Sequence, residues 1–156
     1  MKTAFIISLL FLTASKMYEY RPLEWSDFKG EPGKQIAHLE SEISVSWENV
    51  KGKDDSLFNF EVWPTFLPHE SYTRTSDLYI LSHENLHWDI TKIYAHKLEK
   101  QLKSVISCNN ALYEAVKKTT IDEWTAEEER YDLETAHSQN HTAQVQWQER
   151  INREMK

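Results

Sequence analysis

The sequence predicts an α+β fold in which a small N-terminal antiparallel sheet is followed by one long helix and then by C-terminal helices. Residues 36–47 and 57–63 alternate apolar with polar side chains, which is typical of half-buried strands. Residues 77–103 contain no Gly or Pro and consist largely of good helix formers. Only three Gly and four Pro occur in 156 residues, so we expect most of the chain to be regular.

Length and composition indicate one domain, residues 16–156, preceded by a signal peptide at residues 1–15. Lys2 precedes the apolar run 4–12 and small residues follow it, as in a secretory signal. The run is too short to span a bilayer, so we expect a secreted or periplasmic protein without a stable membrane anchor. The net charge of −7 argues against nucleic acid as a partner. The oligomeric state stays open.

The predicted strands form a hairpin. Residues 36–47 place Ile43, Val45 and Trp47 on one face, and residues 51–55 read as a turn. The second strand places its apolar side chains on one face and is expected to end at Pro64, since proline lacks a backbone N–H.

The first predicted helix has its N-cap within Thr75–Asp77 and runs from about there to Ser104 or beyond. A second, short helix is expected at residues 111–118. Thr125 with Glu128 has the form of a capping box, which would start a last helical region. The single cysteine, Cys108, is expected to be a small buried apolar residue.

The long helix carries an H-E-x-x-H sequence at residues 83–87. Positions four apart lie on one helix face, so the imidazoles of His83 and His87 point the same way and supply two ligands for a catalytic zinc. Glu84 lies about 100° round the helix, where its carboxylate can take a proton from water beside the metal. An apolar stripe adjoins the histidines and predicts that they face a cleft or the interior: Leu86, Ile90, Ile93 and Tyr94.

A third zinc ligand is expected from a later antiparallel helix, because the spacing that would add another histidine soon after His87 is absent. His137 is the first choice, Asp132 the second and Glu134 the third. His38, like His69, is expected not to be a ligand. Imidazole donors suit Zn²⁺ better than calcium or magnesium.

Four stretches of the chain carry a family resemblance: Leu23–Gly30, Ser71–Tyr72, Leu81–Ile90 and Tyr131–Ser138, the last followed by Gln144–Trp147. In order and spacing, these stretches resemble a bacterial domain-of-unknown-function family described as secreted zinc-dependent proteases. The resemblance implies a zincin-like fold, with His83 and His87 as zinc ligands and Glu84 as the catalytic residue. In that family a Gly often follows the last histidine. Ser138 stands there in this chain, which predicts that the helix runs on.

We therefore expect a zinc-dependent hydrolase, a metallopeptidase acting on peptide or protein substrates with Glu84 as general base. A hydrogen-bond donor for the substrate oxyanion is also expected, with three candidates: Tyr131, Tyr94 and His141. The alternative is a secreted zinc-binding or protein-interaction domain without turnover. A fourth protein ligand such as His141 would favour that alternative, because structural zinc takes four protein ligands.

Overall fold

The computed structural model describes residues 21–49, 58–104 and 110–156 and confirms the α+β class. The expected signal peptide, the turn at residues 51–55 and Cys108 lie outside these ranges. A short 3₁₀ turn at Trp25–Asp27 comes first. The elements after it are β1 (Ala37–His38), β2 (Ser41–Asn49), β3 (Phe58–Phe66), β4 (Tyr72–Thr73), α1 (Leu78–Ser104), α2 (Asn110–Thr135) and α3 (His141–Glu154).

Two antiparallel ribbons form the first half of the fold. In one, β1 pairs with β4, so His38 lies opposite Tyr72. In the other, β2 pairs with β3 along nine residues of each strand, with Val45 opposite Val62. The second ribbon packs on α1, and Ile43 is buried in that contact together with Leu98 and Leu102 of the helix. The ribbons therefore lie against the helix that carries the histidines.

One detail of the strand prediction was wrong. The strand at β3 runs through Pro64 to Phe66 instead of ending at the proline. A two-stranded ribbon leaves each strand one edge outside the ladder, and proline is tolerated at such an edge. Trp47 shares a strand face with Ile43 and Val45, as the alternation predicts, but it is 57% exposed, although its cross-strand partner Phe60 is buried in the core.

The helix α1 begins where the sequence predicts. The carboxylate of Asp77 accepts a hydrogen bond from the backbone N–H of Tyr79 at 2.8 Å, which is an N-cap. The buried side of α1 includes Leu86 and Ile90, which pack with residues of the two later helices: Tyr131, Trp147 and Ile151. None of the described helices combines the length and apolarity that crossing a membrane requires.

A side chain of the H-E-x-x-H sequence ties the N-terminal segment to α1. The Asn85 Oδ1 atom accepts from the backbone N–H of Leu23 at 2.7 Å, and Nδ2 donates to the Leu23 carbonyl at 3.0 Å. Leu23 is fully buried in a cluster with Phe28 and Trp88. The segment therefore covers one side of α1 and helps to fix its position.

Two helices follow α1, as predicted, but the boundary between them lies at a different place in the chain. A single helix, α2, runs from Asn110 to Thr135, so the capping box predicted at Thr125 was wrong. No Gly or Pro interrupts this stretch, and nothing in it stops a helix once begun. Glu128, expected to cap a helix, instead bonds to His87.

The turn between α2 and α3 contradicts the expectation that the helix continues past Ser138. Three successive residues without a glycine adopt left-handed backbone angles, with φ of 49° at Ala136, 50° at His137 and 70° at Ser138. Side chains with a Cβ are strained in this region. The turn is held by a hydrogen bond from the His137 N–H to the Asp132 carbonyl at 2.9 Å. It brings His137 and Ser138 to the cleft described below.

Ala136→Gly is expected to stabilise the protein by about 0.5–1 kcal/mol, because glycine adopts this backbone angle without strain. The free energy of unfolding, measured by denaturant titration, checks the expectation. The matched control is Ala126→Gly, the same replacement at an exposed site inside α2, which should destabilise by about 1 kcal/mol. If both replacements destabilise equally, the left-handed turn is not strained.

Candidate metal centre

Three side chains from α1 and α2 converge on one point. His83 Nε2 lies 3.2 Å and His87 Nε2 lies 3.1 Å from the same oxygen, Oδ1 of Asp132. Each residue offers a ligand atom, and these atoms all lie within 4.8 Å of one another. The four-residue spacing on α1 aligns the two imidazoles, and the antiparallel α2 supplies the carboxylate.

These separations fit a metal ion. Zinc bonds to nitrogen and oxygen ligands at about 2.0–2.1 Å, so tetrahedral ligands lie about 3.3 Å apart, close to the observed 3.1 and 3.2 Å. Two imidazole nitrogens and one carboxylate oxygen are a donor set that zinc accepts. The group contains three protein ligands among the described residues, and that number suits a catalytic site with a position left for water.

The second ring nitrogen of His87 is held by a carboxylate. Nδ1 of His87 pairs with Oε2 of Glu128, whose other oxygen accepts from the indole N–H of Trp124 at 3.0 Å. Thr91 also reaches that oxygen at 3.5 Å. A carboxylate bonded to Nδ1–H keeps the proton on that nitrogen and turns the Nε2 lone pair toward a metal, which is a common arrangement around metal-binding histidines.

The ring of His83 is positioned by packing. Tyr131 stacks on it with ring centroids 4.6 Å apart, and the Tyr131 hydroxyl donates to the His83 carbonyl at 3.3 Å. Nδ1 of His83 is buried, and no described residue forms a hydrogen bond with it. Burial of the tyrosine raises the pKa of its hydroxyl, so Tyr131 stays neutral.

Without a metal, the three ligands form a charged hydrogen-bonded cluster. Burial favours the neutral carboxyl of Asp132, but hydrogen bonds from His83 and His87 hold its pKa well below the usual range. Burial likewise opposes a charged His87, yet the carboxylates of Glu128 and Asp132 raise the pKa of that imidazole to about 10. His87 is therefore an imidazolium at neutral pH in the metal-free protein. A metal ion that binds Nε2 takes the place of the proton on that nitrogen.

Glu84 lies beside the ligands and lines the same cleft, which has a volume of about 540 Å³. Its side chain is buried, with the residue only 6% exposed. Burial raises the pKa of Glu84, and the neighbouring imidazoles of His87 and His83 oppose that shift. A carboxylate with a raised pKa is a better proton acceptor for water than an ordinary surface glutamate.

The structure places the other candidate ligands outside the three-residue group. His137 is exposed at the cleft, with Nδ1 3.3 Å from the second oxygen of Asp132, so it neighbours the group without joining it. Glu134 accepts a hydrogen bond from the indole of Trp147 at 2.7 Å and helps to pack α3. Asp132, the second choice, is the residue that the fold brings to both histidines.

The candidate oxyanion donors are also placed elsewhere. The hydroxyl of Tyr131 is already bonded to a carbonyl, and His141 stacks on Tyr79 with ring centroids 4.0 Å apart. Neither His141 nor Tyr94 lines the cleft.

Sequence reasoning missed Glu128, although a signal was present. Glu128 and Asp132 are spaced four apart on α2, as His83 and His87 are on α1. Two pairs with the same spacing on antiparallel helices can meet face to face. His38 and Glu40 were also missed at the cleft, and only the pairing of β1 brings them there.

Comparison with known proteins finds one family model that is similar to part of the chain. Residues 71–138 match a family described as bacterial protein of unknown function (DUF922). The matched segment contains β4, α1 and α2, and with them His83, Glu84, His87, Glu128 and Asp132. No curated protein and no solved structure matches the chain.

Proposed function

We propose that this protein is a secreted or periplasmic zinc-dependent peptidase. In this proposal His83, His87 and Asp132 hold the ion and Glu84 is the general base. The observation that carries it is the convergence of two Nε2 atoms and one carboxylate oxygen beside a buried glutamate in an open cleft. Bound zinc would polarise a substrate carbonyl and acidify the attacking water.

The protein groups supply positioning and proton transfer. Glu84 accepts a proton from the water as the water oxygen bonds to the carbonyl carbon, and the proton then passes to the leaving amine when the C–N bond breaks. Glu128 and Trp124 keep His87 in the orientation that presents Nε2 to the ion. The substrate peptide would occupy the cleft along residues 35–41.

The alternative, a zinc-binding protein without turnover, has less support from the donor set. Structural zinc takes four protein ligands, whereas three ligand atoms are grouped among the described residues. A pure metal binder also has no need of a buried carboxylate at the position of Glu84. His141, the residue whose presence would have favoured a structural site, stacks on Tyr79 instead.

The purified wild-type protein is expected to contain about one zinc per chain, because three ligands and an open position form one site. Replacing both His83 and His87 by Ala should remove it. Zinc content measured by mass spectrometry checks this, and the matched control replaces the exposed His69 and His96 by Ala. Hydrolysis of a quenched-fluorescence peptide library by the wild type then tests turnover. A wild type that stays free of zinc after reconstitution would rule the proposal out.

A further inference from the structure

The cleft has a second ionisable pair on a wall that α1 and α2 do not form. Residues 35–41 form this wall. Nε2 of His38 lies 3.0 Å from Oε2 of Glu40, and both side chains are partly exposed, 38% and 43%. The pair takes no part in the metal group, and the reaction as described above gives it no role.

The pair is built into the fold and is not a chance surface contact. The backbone N–H of Glu40 donates to the Ser71 hydroxyl at 2.9 Å, and Ser71 is fully buried. The Glu40 carbonyl accepts from the N–H of Leu67 at 3.0 Å. Tyr72, opposite His38 in the β1–β4 ribbon, packs beside the imidazole with ring centroids 5.8 Å apart.

Hydrolysis is assisted by a hydrogen-bond donor to the carbonyl oxygen, and the charged donors on the helix side of the cleft are histidines that face Asp132. As water adds to a carbonyl, negative charge develops on the carbonyl oxygen. The described lining of the cleft contains four carboxylates and no Lys or Arg, and these carboxylates disfavour that charge: Glu40, Glu84, Glu128 and Asp132. The indole N–H of Trp124 is already donated to Glu128. His137 lies against Asp132.

His38 has the chemistry and the location to be this donor. Donation from Nε2–H to Glu40 leaves Nδ1 as the nitrogen that Glu40 does not engage. The carboxylate stabilises the imidazolium, in which Nδ1 also carries a proton. Burial raises the pKa of Glu84, and the charge of His38 joins those of His87 and His83 in opposing that shift. His38 lines the same cleft as Glu84.

We propose that His38, oriented by Glu40, donates a hydrogen bond from Nδ1 to the oxygen of the substrate carbonyl as negative charge develops there. This role rests on the proposed peptidase function and adds a catalytic residue to it. The electron pair of the C=O π bond moves to that oxygen when the water oxygen bonds to carbon. It returns when the C–N bond breaks and the amine takes the proton held by Glu84. His38 keeps its own protons throughout.

His38→Ala is expected to lower kcat about 10²–10³-fold, the usual cost of losing one such donor, and to leave KM and zinc content nearly unchanged. A second readout is binding, by calorimetry, of a tetrahedral phosphonate analogue of the best-cleaved library peptide. Its affinity should fall by a similar factor, because the phosphonate carries the charge of the reacting state. The hydroxamate of the same peptide should bind His38→Ala and wild type about equally.

Two further variants separate a chemical role from a structural one. His38→Gln keeps an N–H donor and should retain more activity than His38→Ala. Glu40→Gln should lower kcat less than His38→Ala does, because the imidazole remains. The matched control is His96→Ala, an exposed histidine elsewhere on α1.

The outcomes distinguish this inference from the function on which it rests. A wild type that binds zinc but cleaves no peptide would overturn the peptidase proposal and this role together. An active wild type whose His38→Ala variant has the same kcat and the same phosphonate affinity would overturn the role of His38 alone.

Discussion

Glu84→Gln is expected to lower the rate of peptide hydrolysis about 10²–10⁴-fold while zinc stays bound. Glutamine has nearly the same shape as glutamate but cannot accept the proton of the attacking water. Since Glu84 lies beside the ligand group and is not one of its members, the ion should remain in place. The measurement combines zinc content with kcat on the best-cleaved library peptide.

The matched control for this variant is Glu99→Gln on the same helix, at a glutamate that pairs with Lys103 away from the cleft. It should change neither quantity. If Glu84→Gln cleaved peptide at the wild-type rate, Glu84 would not be the general base. If it lost zinc, Glu84 would belong to the ligand set.

Asp132→Ala is expected to weaken zinc binding by more than about 100-fold, since changes to groups that merely orient a ligand already cost 10–100-fold. Asp132 supplies the oxygen that both imidazoles face. His137→Ala should weaken binding by no more than about tenfold, because its exposed ring lies against the far oxygen of Asp132, outside the three-residue group. Competition with a fluorescent zinc chelator measures both affinities.

These two variants identify the third ligand. The reverse order, with His137→Ala losing zinc and Asp132→Ala keeping it, would show that the left-handed turn moves His137 to the ion. Circular dichroism of each variant should match the wild type, since Asp132 is partly exposed and His137 is mostly exposed.

The fold class was predictable because its evidence is local. Alternating apolar residues mark β2 and β3, and the run without Gly or Pro marks α1. The N-cap was predicted within Thr75–Asp77, and the structure places it at Asp77. The limits of α2 were less accessible, since Thr125 and Glu128 satisfy a capping pattern that the surrounding helix overrides. The turn at Ala136 contains no glycine, so the usual sequence signal for a left-handed turn is missing.

The candidate site likewise has a part that local sequence predicts and a part that only helix packing determines. The spacing within one helix is enough to put His83, Glu84 and His87 together, because helical geometry is repeated from residue to residue. The partners on α2 depend on how two helices pack, and packing set Asp132 and Glu128 against the histidines while leaving His137 at the rim. Residue type alone had favoured His137.

By itself, the sequence determined which helix bears the H-E-x-x-H pattern and which carboxylate lies within that pattern. Only the tertiary structure showed that Asp132 is the third member of the group and that His38 lines the cleft. The contacts of Asp132 with the two histidines join residues 49 and 45 positions apart, and no periodicity along the chain encodes such separations. Tertiary structure also sets the pKa of a buried glutamate or histidine, because burial and the charges packed around the group shift that pKa.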